Sequence, residues 1–190
     1  ERDERIAGLM AGFIDREDIE PPGFPKTWRP RINALSQLVA LSRASVARNR
    51  DNEPLRRPSL EIGSRVAKQL AKLSRCVSVV QGRTSLDDQV WRLAYQVGMD
   101  TATGWTRDIL QVLGRAGGAI SRSTIEEEAR VTSSTSTRRL DDLELLGAVV
   151  RRRAVAKGKG QPPLLWALTD QWLDVWRHAH PHAPTRKGRK

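Results

Sequence analysis

Apolar positions recur at steps of three and four through most of this chain, and the rhythm changes only in its second half. Residues 4–14 put Ile6, Leu9, Met10 and Phe13 at helical spacing, and the "PPGFP" run at 21–25 ends any helix there. From Arg31 to about Asn49, Ile32, Leu35, Val39 and Val46, with Leu38 alongside, predict one apolar helix face; a polar, proline-bearing loop follows at 50–59. Leu60, Ile62, Val66, Leu70, Leu73, Val77 and Val80 then give the clearest stripe in the chain, with Gly82 placed to end it. Ser85 with Asp88 three residues later has the spacing of a capping box, opening a helix with Val90, Leu93, Ala94 and Val97 inward. A short joint, "GMDTATG", closes this all-helical half at 98–104.

Beyond the joint, Ile109, Val112 and Leu113 mark a helix that ends at "GRAGG", followed by a short extended piece at Ala119 and Ile120. Ser123 to Ala129 is a short acidic helix; Thr132 caps the next, which runs to Leu146 and stops at Gly147. "AVVRRRAV" and "PLLWALT" read as two strands, and Thr169 caps a last helix carrying Trp172, Leu173 and Trp176. The expected fold class is mainly α: a helical bundle followed by a winged helix-turn-helix with a small β-hairpin wing. The expected organisation is an N-terminal helix and proline-rich linker over 1–30, the bundle over about 31–103, the winged helix over about 104–180 and a basic tail over 181–190.

Charge gives the second half a partner. The chain carries 33 Lys and Arg against 22 Asp and Glu, a formal +11, which indicates a polyanion. The excess sits in the middle, in the wing-like segment and in the tail, while residues 1–30 are acid-rich. With Leu140 on the core side of its helix, Ser136, Leu143 and Gly147 share that face, and Thr135, Arg138 and Asp142 lie opposite, flanked by Ser134 and Arg139. In a helix-turn-helix the start of the second helix enters the major groove, where short hydroxyls approach phosphates and arginine spans guanine N7 and O6. The expected DNA-binding set is therefore Thr132, Ser133, Ser134, Thr135, Arg138 and Arg139 on the helix. Arg151, Arg152, Arg153, Lys157 and Lys159 join it from the wing, where no acid lies among them. Two features weigh against this: Asp141, Asp142 and Glu144 lower the local charge, and an Arg138–Asp142 pair at i,i+4 would occupy the arginine.

Two resemblances extend the reading. Residues 106–178 resemble the winged-helix regions of MarR-like regulators, in which a serine-threonine-rich turn leads into arginines and a helix, glycine and wing strand follow. Residues 60–94 resemble the lid subdomain of MoxR- and MCM-like AAA+ ATPases, on Ser64-Arg65, Gly82-Arg83 and the helix start Ser85-Leu86-Asp87-Asp88. That likeness implies that Arg65 is a nucleotide sensor, approaching the γ-phosphate of ATP held by a core domain. The chain itself has no G-x-x-x-x-G-K-[ST] loop, and the glycine-lysine run at 157–161 lacks its spacing and terminal hydroxyl. It is thus expected to be no enzyme alone and to have no cofactor, with ATP entering only through an upstream core domain.

The resulting expectation is the DNA-binding C-terminal region of a DNA-associated AAA+ ATPase, and the opening at Glu1 without a methionine fits a fragment. The alternatives are a free-standing winged-helix regulator whose bundle dimerises, and a protein-interaction module. Expected partners are double-stranded DNA, a second copy, and an AAA+ core or another protein, with no membrane. The basic stripe Arg65, Lys68, Lys72 and Arg75 also reads either as a solvated face or as a nucleic-acid backbone contact.

Other chemistry is thin. Asp87-Asp88 and Asp141-Asp142 are adjacent on helices and point apart, so neither is an acid/base pair. "HAHPH" (His178, His180, His182) has ligand-rich composition but no completing Cys or acid, and Pro181 suits a frayed end. Cys76 is the single cysteine, which excludes an internal disulfide, fits a reducing cytoplasm and reads as a near-core thiol. Trp91, Trp105, Trp166, Trp172 and Trp176 fall on apolar stripes and read as core or interface.

Overall fold

The computed structural model describes residues 20–51, 53–55, 63–102, 104–153 and 162–180. The expected helix at 4–14, Leu60 and Ile62, the wing lysines Lys157 and Lys159, and the tail with His182 lie outside the described residues. The described chain is mainly helical, with a small three-stranded antiparallel sheet. Among these residues no helix is long and apolar enough to cross a membrane.

Helix α1 spans Trp28–Arg43. Pro30 falls in its first turn, where a missing N–H leaves no intrahelical bond unmade. The helix ends earlier than the apolar spacing predicts, because Ala44 turns extended and its N–H caps the Leu41 carbonyl. Val46 is still buried, but from an extended segment. That segment continues into a narrow hairpin, in which the Asn49 N–H donates to the Glu53 carbonyl and the Leu55 N–H to the Ala47 carbonyl, both at 2.9 Å. The expected polar loop therefore begins as an ordered ladder.

Helix α2 spans Ser64–Val80 and packs against α1 and α3, where α3 is Asp88–Asp100. Its most buried line is Leu70, Ser74 and Ser78, while Val66, Leu73 and Val77 are half-buried and Val80 is 66% exposed. Small serines let the helices approach closely, and Ser74 satisfies its hydroxyl on the Leu70 carbonyl at 2.8 Å. Helix α3 is capped by Asp87 and not by Ser85: the Asp87 carboxylate accepts from the N–H groups of Gln89 and Val90, each at 3.0 Å. Leu86 is buried just before the cap. The inward stripe of α3 is Val90, Trp91, Ala94 and Gly98, so Leu93 and Val97, expected inside, are each 37% exposed. The indole of Trp91 meets that of Trp28 edge-on, with centroids 5.5 Å apart, and this bulk sets the rotation of the helix.

The second half comprises α4 (Trp105–Ala116), β1 (Ile120–Ser121), α5 (Arg122–Ala129), α6 (Ser133–Leu145), β2 (Val149–Arg153), β3 (Leu164–Leu168) and α7 (Asp170–Ala179). The sheet order is β1-β3-β2, with Ile120 opposite Trp166 and Arg151 opposite Trp166 on the other side. Gly147 takes φ +72° after α6, and the Ala148 N–H returns to the Leu143 carbonyl, which turns the chain directly into β2. Thr169 occupies the N-cap position of α7, but its hydroxyl points to the Gly147 carbonyl and makes no cap bond.

One cluster of buried residues runs from Trp28, Leu35 and Leu41 in α1 through Ile109 and Leu113 in α4 to Leu140, Trp166 and Trp176. Helix α7 closes it by packing on α1, and the Trp176 indole lies against Gly114, where any Cβ would collide with it. The two segments expected as separate small domains thus share a core.

Candidate nucleic-acid interface

Helices α5 and α6 are joined by a tight turn built from local hydrogen bonds. Arg130 takes a left-handed conformation (φ 54°), and the Val131 N–H returns to the Glu126 carbonyl at 3.0 Å. Thr132 then caps α6, its Oγ1 accepting from the Thr135 N–H at 3.4 Å and donating to the Thr135 hydroxyl at 2.9 Å. Ser136 is fully buried and donates to Glu126 Oε1 at 2.6 Å. That bond is the largest influence holding the Glu126 carboxyl below its ordinary range; a hydrogen bond from Ser133 and the charge of Arg122 act in the same direction. The acid of α5 thereby fixes the angle at which the polar start of α6 leaves the turn.

The hydroxyl run divides into two functions. Thr132, Ser136 and Thr137 are engaged in the turn, Thr137 accepting from Arg122 at 3.1 Å. Ser133 and Ser134 are exposed at the helix start. Thr135 is half-buried, and the face opposite the core is Ser134, Arg138 and the partly exposed Asp141. Asp142, expected on that open face, is buried: Arg48 of the α1–α2 hairpin donates to its Oδ1 through Nη2 at 2.6 Å and Nε at 3.2 Å. Arg139 approaches the other oxygen of Asp142 at 3.6 Å and is half-buried beside it. Among the described residues Arg138 is exposed and has neither ion-pair nor hydrogen-bond partner, so the pair with Asp142 that would have occupied it does not form.

Strand β2 is likewise divided. Arg151 donates to Glu144 Oε2 and, at 2.8 Å, to Asp141, and its guanidinium lies 4.8 Å from the Trp166 ring centroid. Arg151 thus neutralises the acids of α6, with its side chain still 43% exposed. Arg152 and Arg153 are exposed on the same strand and have no ion-pair partner among the described residues. Ser134 and Arg138 thus share the outer face of α6, while Arg152 and Arg153, successive on β2, project from opposite faces of the sheet, Arg152 towards Leu113 and Leu173. The Ser133 and Ser134 hydroxyls are engaged locally, with Glu126 and Thr132, and among the described residues Arg138, Arg152 and Arg153 have no ion-pair partner.

Sequence reasoning missed Arg48, which lies 94 residues from Asp142 and has no local signal, and Arg122, which braces the turn from α5. It also misjudged His180. His180 is half-buried and bonded to Tyr95, so it is not frayed. Cys76 is exposed, and Trp105 is 50% exposed, while Trp91, Trp166, Trp172 and Trp176 are buried. Among the described residues no group of three or more His, Cys, Asp or Glu is placed to hold a metal ion. Arg65 lies exposed in the first turn of α2, on one face with Lys68, Lys72 and Arg75. Comparison with protein-family models, with curated proteins and with solved structures gives no match.

Proposed function

We propose that this protein binds duplex DNA through a winged helix-turn-helix formed by α4–α6 and the β2–β3 hairpin. In this reading the exposed start of α6 enters the major groove and the wing strand follows a phosphate backbone. The observation that carries the reading is the exposed Arg138, which has no ion-pair partner among the described residues, one turn beyond Ser134, with the nearby acids held by Arg48, Arg139 and Arg151. An open arginine beside carboxylates that other arginines neutralise supports a reading with an external acceptor, and guanine offers a bidentate one. The wider assignment, to the C-terminal region of a DNA-associated AAA+ ATPase, is supported by the lid-like run at 60–94 and by the exposed place of Arg65 at a helix start.

The test is selection of preferred duplexes from a random pool, followed by binding of the native protein and Arg138→Ala. The variant should lose about 1–3 kcal/mol on the selected duplex and much less on random duplex. Selection without any enriched sequence, or equal weakening on both duplexes, would remove Arg138 as a base-reading residue.

A further inference from the structure

Helix α2 has a second face that the core does not use. Pro21, Phe24, Ala71, Cys76, Val79 and Val80 line a groove of about 560 Å³ between this face and the segment that leads into α1. Lys68, Lys72 and Arg75 complete its lining. The α2 positions recur at steps of three and four, as on a face made to receive a second helix. Val80 is 66% exposed there, and Cys76 is exposed. An apolar strip of this kind bordered by cations fits an amphipathic segment with acidic flanks.

We propose that the occupant is the chain's own residues 4–14. Ile6, Leu9, Met10 and Phe13 give that segment one apolar face at helical spacing. Its flanks are net acidic, with Glu1 and Asp3 against Arg2 before it and Asp15, Glu17, Asp18 and Glu20 against Arg16 after it, while Glu4 and Arg5 inside it cancel. Those charges complement Lys68, Lys72 and Arg75. The tether is also in place: Arg75 Nη2 donates to the Pro21 carbonyl at 3.4 Å, fixing the chain at the rim of the groove. The six residues from 15 to 20 reach about 20 Å when extended. A helix of eleven residues is roughly 16 Å long, within the roughly 25 Å of α2. So short a connection holds the segment near the groove at an effective concentration on the order of millimolar, which favours this occupant over a second molecule.

The single cysteine reports on the groove directly. The rate at which Cys76 reacts with a maleimide is measured in the full chain and in Leu9→Asp/Phe13→Asp, which places charge on the apolar face of the segment. The native thiol reacts slowly at every protein concentration, and the double variant reacts roughly tenfold faster, as expected when a local cover is removed. In a second measurement Met10→Cys is oxidised mildly and yields a monomer in which the introduced thiol is disulfide-bonded to Cys76. Equal rates in native protein and variant would overturn the proposal, as would protection that grows with protein concentration or cross-linking only between chains. The last two results would assign the groove to a second copy.

Discussion

The imidazole of His180 stacks on the Trp176 indole with ring centroids 4.1 Å apart, and the Tyr95 hydroxyl from α3 reaches its Nε2. Its Nδ1 lies 2.8 Å from the Trp176 carbonyl, which can only accept, so Nδ1 carries the proton and Nε2 accepts from Tyr95. Burial pushes the pKa of this ring below its ordinary 6.5; the bond to the Trp176 carbonyl opposes the shift, and the nearby charge of Arg115 adds to it. Burial likewise raises the pKa of Tyr95, which keeps its hydroxyl as the donor. With the folded pKa depressed, the unfolded ring binds more protons, so the stability that neutral His180 contributes is complete above 6.5 and is lost as the pH falls through the folded value. Chemical denaturation at a series of values from about pH 8 to about pH 5 should show stability falling over this window, and His180→Gln should flatten the dependence. An unchanged slope in the variant would mean that the titration of His180 is not the source of the pH dependence. Nothing in "HAHPH" revealed this, because the partners come from packing and not from neighbouring sequence.

At the scale of elements, some caps and stops follow the local chain. Thr132 and Gly147 lie where the spacing of polar and apolar residues puts them, because each acts within one helical turn. Helix α3 differs. Ser85 and Asp87 both precede its apolar stripe, and only the extended backbone at Asp87 brings a carboxylate over the first free N–H groups. Asp87→Ala should therefore cost about 1 kcal/mol in denaturant unfolding, whereas Ser85→Ala should stay within about 0.5 kcal/mol. The reverse order would restore the capping box at Ser85. The rotation of α3 and the early end of α1 were not legible for a related reason. Leu93 and Val97 match a helical stripe as well as Trp91 does, and the contact between Trp91 and Trp28 decides between them.

At the scale of the whole molecule, the helical bundle and the sheet-bearing half meet through α1 and α7 and through the buried Arg48–Asp142 pair. This pair joins the hairpin after α1 to the helix proposed to read DNA. The basic composition pointed to a polyanion, and the residue order pointed to α6 and its wing. Which arginines are open among the described residues depended on contacts across the chain: Arg151 is taken up by Asp141, Glu144 and Trp166, while Arg138, Arg152 and Arg153 have no ion-pair partner there. The most direct measurement of duplex binding is the association constant as a function of salt, for the native protein and for Arg152→Ala/Arg153→Ala. Binding through a phosphate-following wing should weaken linearly in log K against log salt, and the slope should flatten by about 0.9 for each arginine removed. A native protein that binds no duplex at low salt, or a variant whose slope matches the native one, would contradict the account.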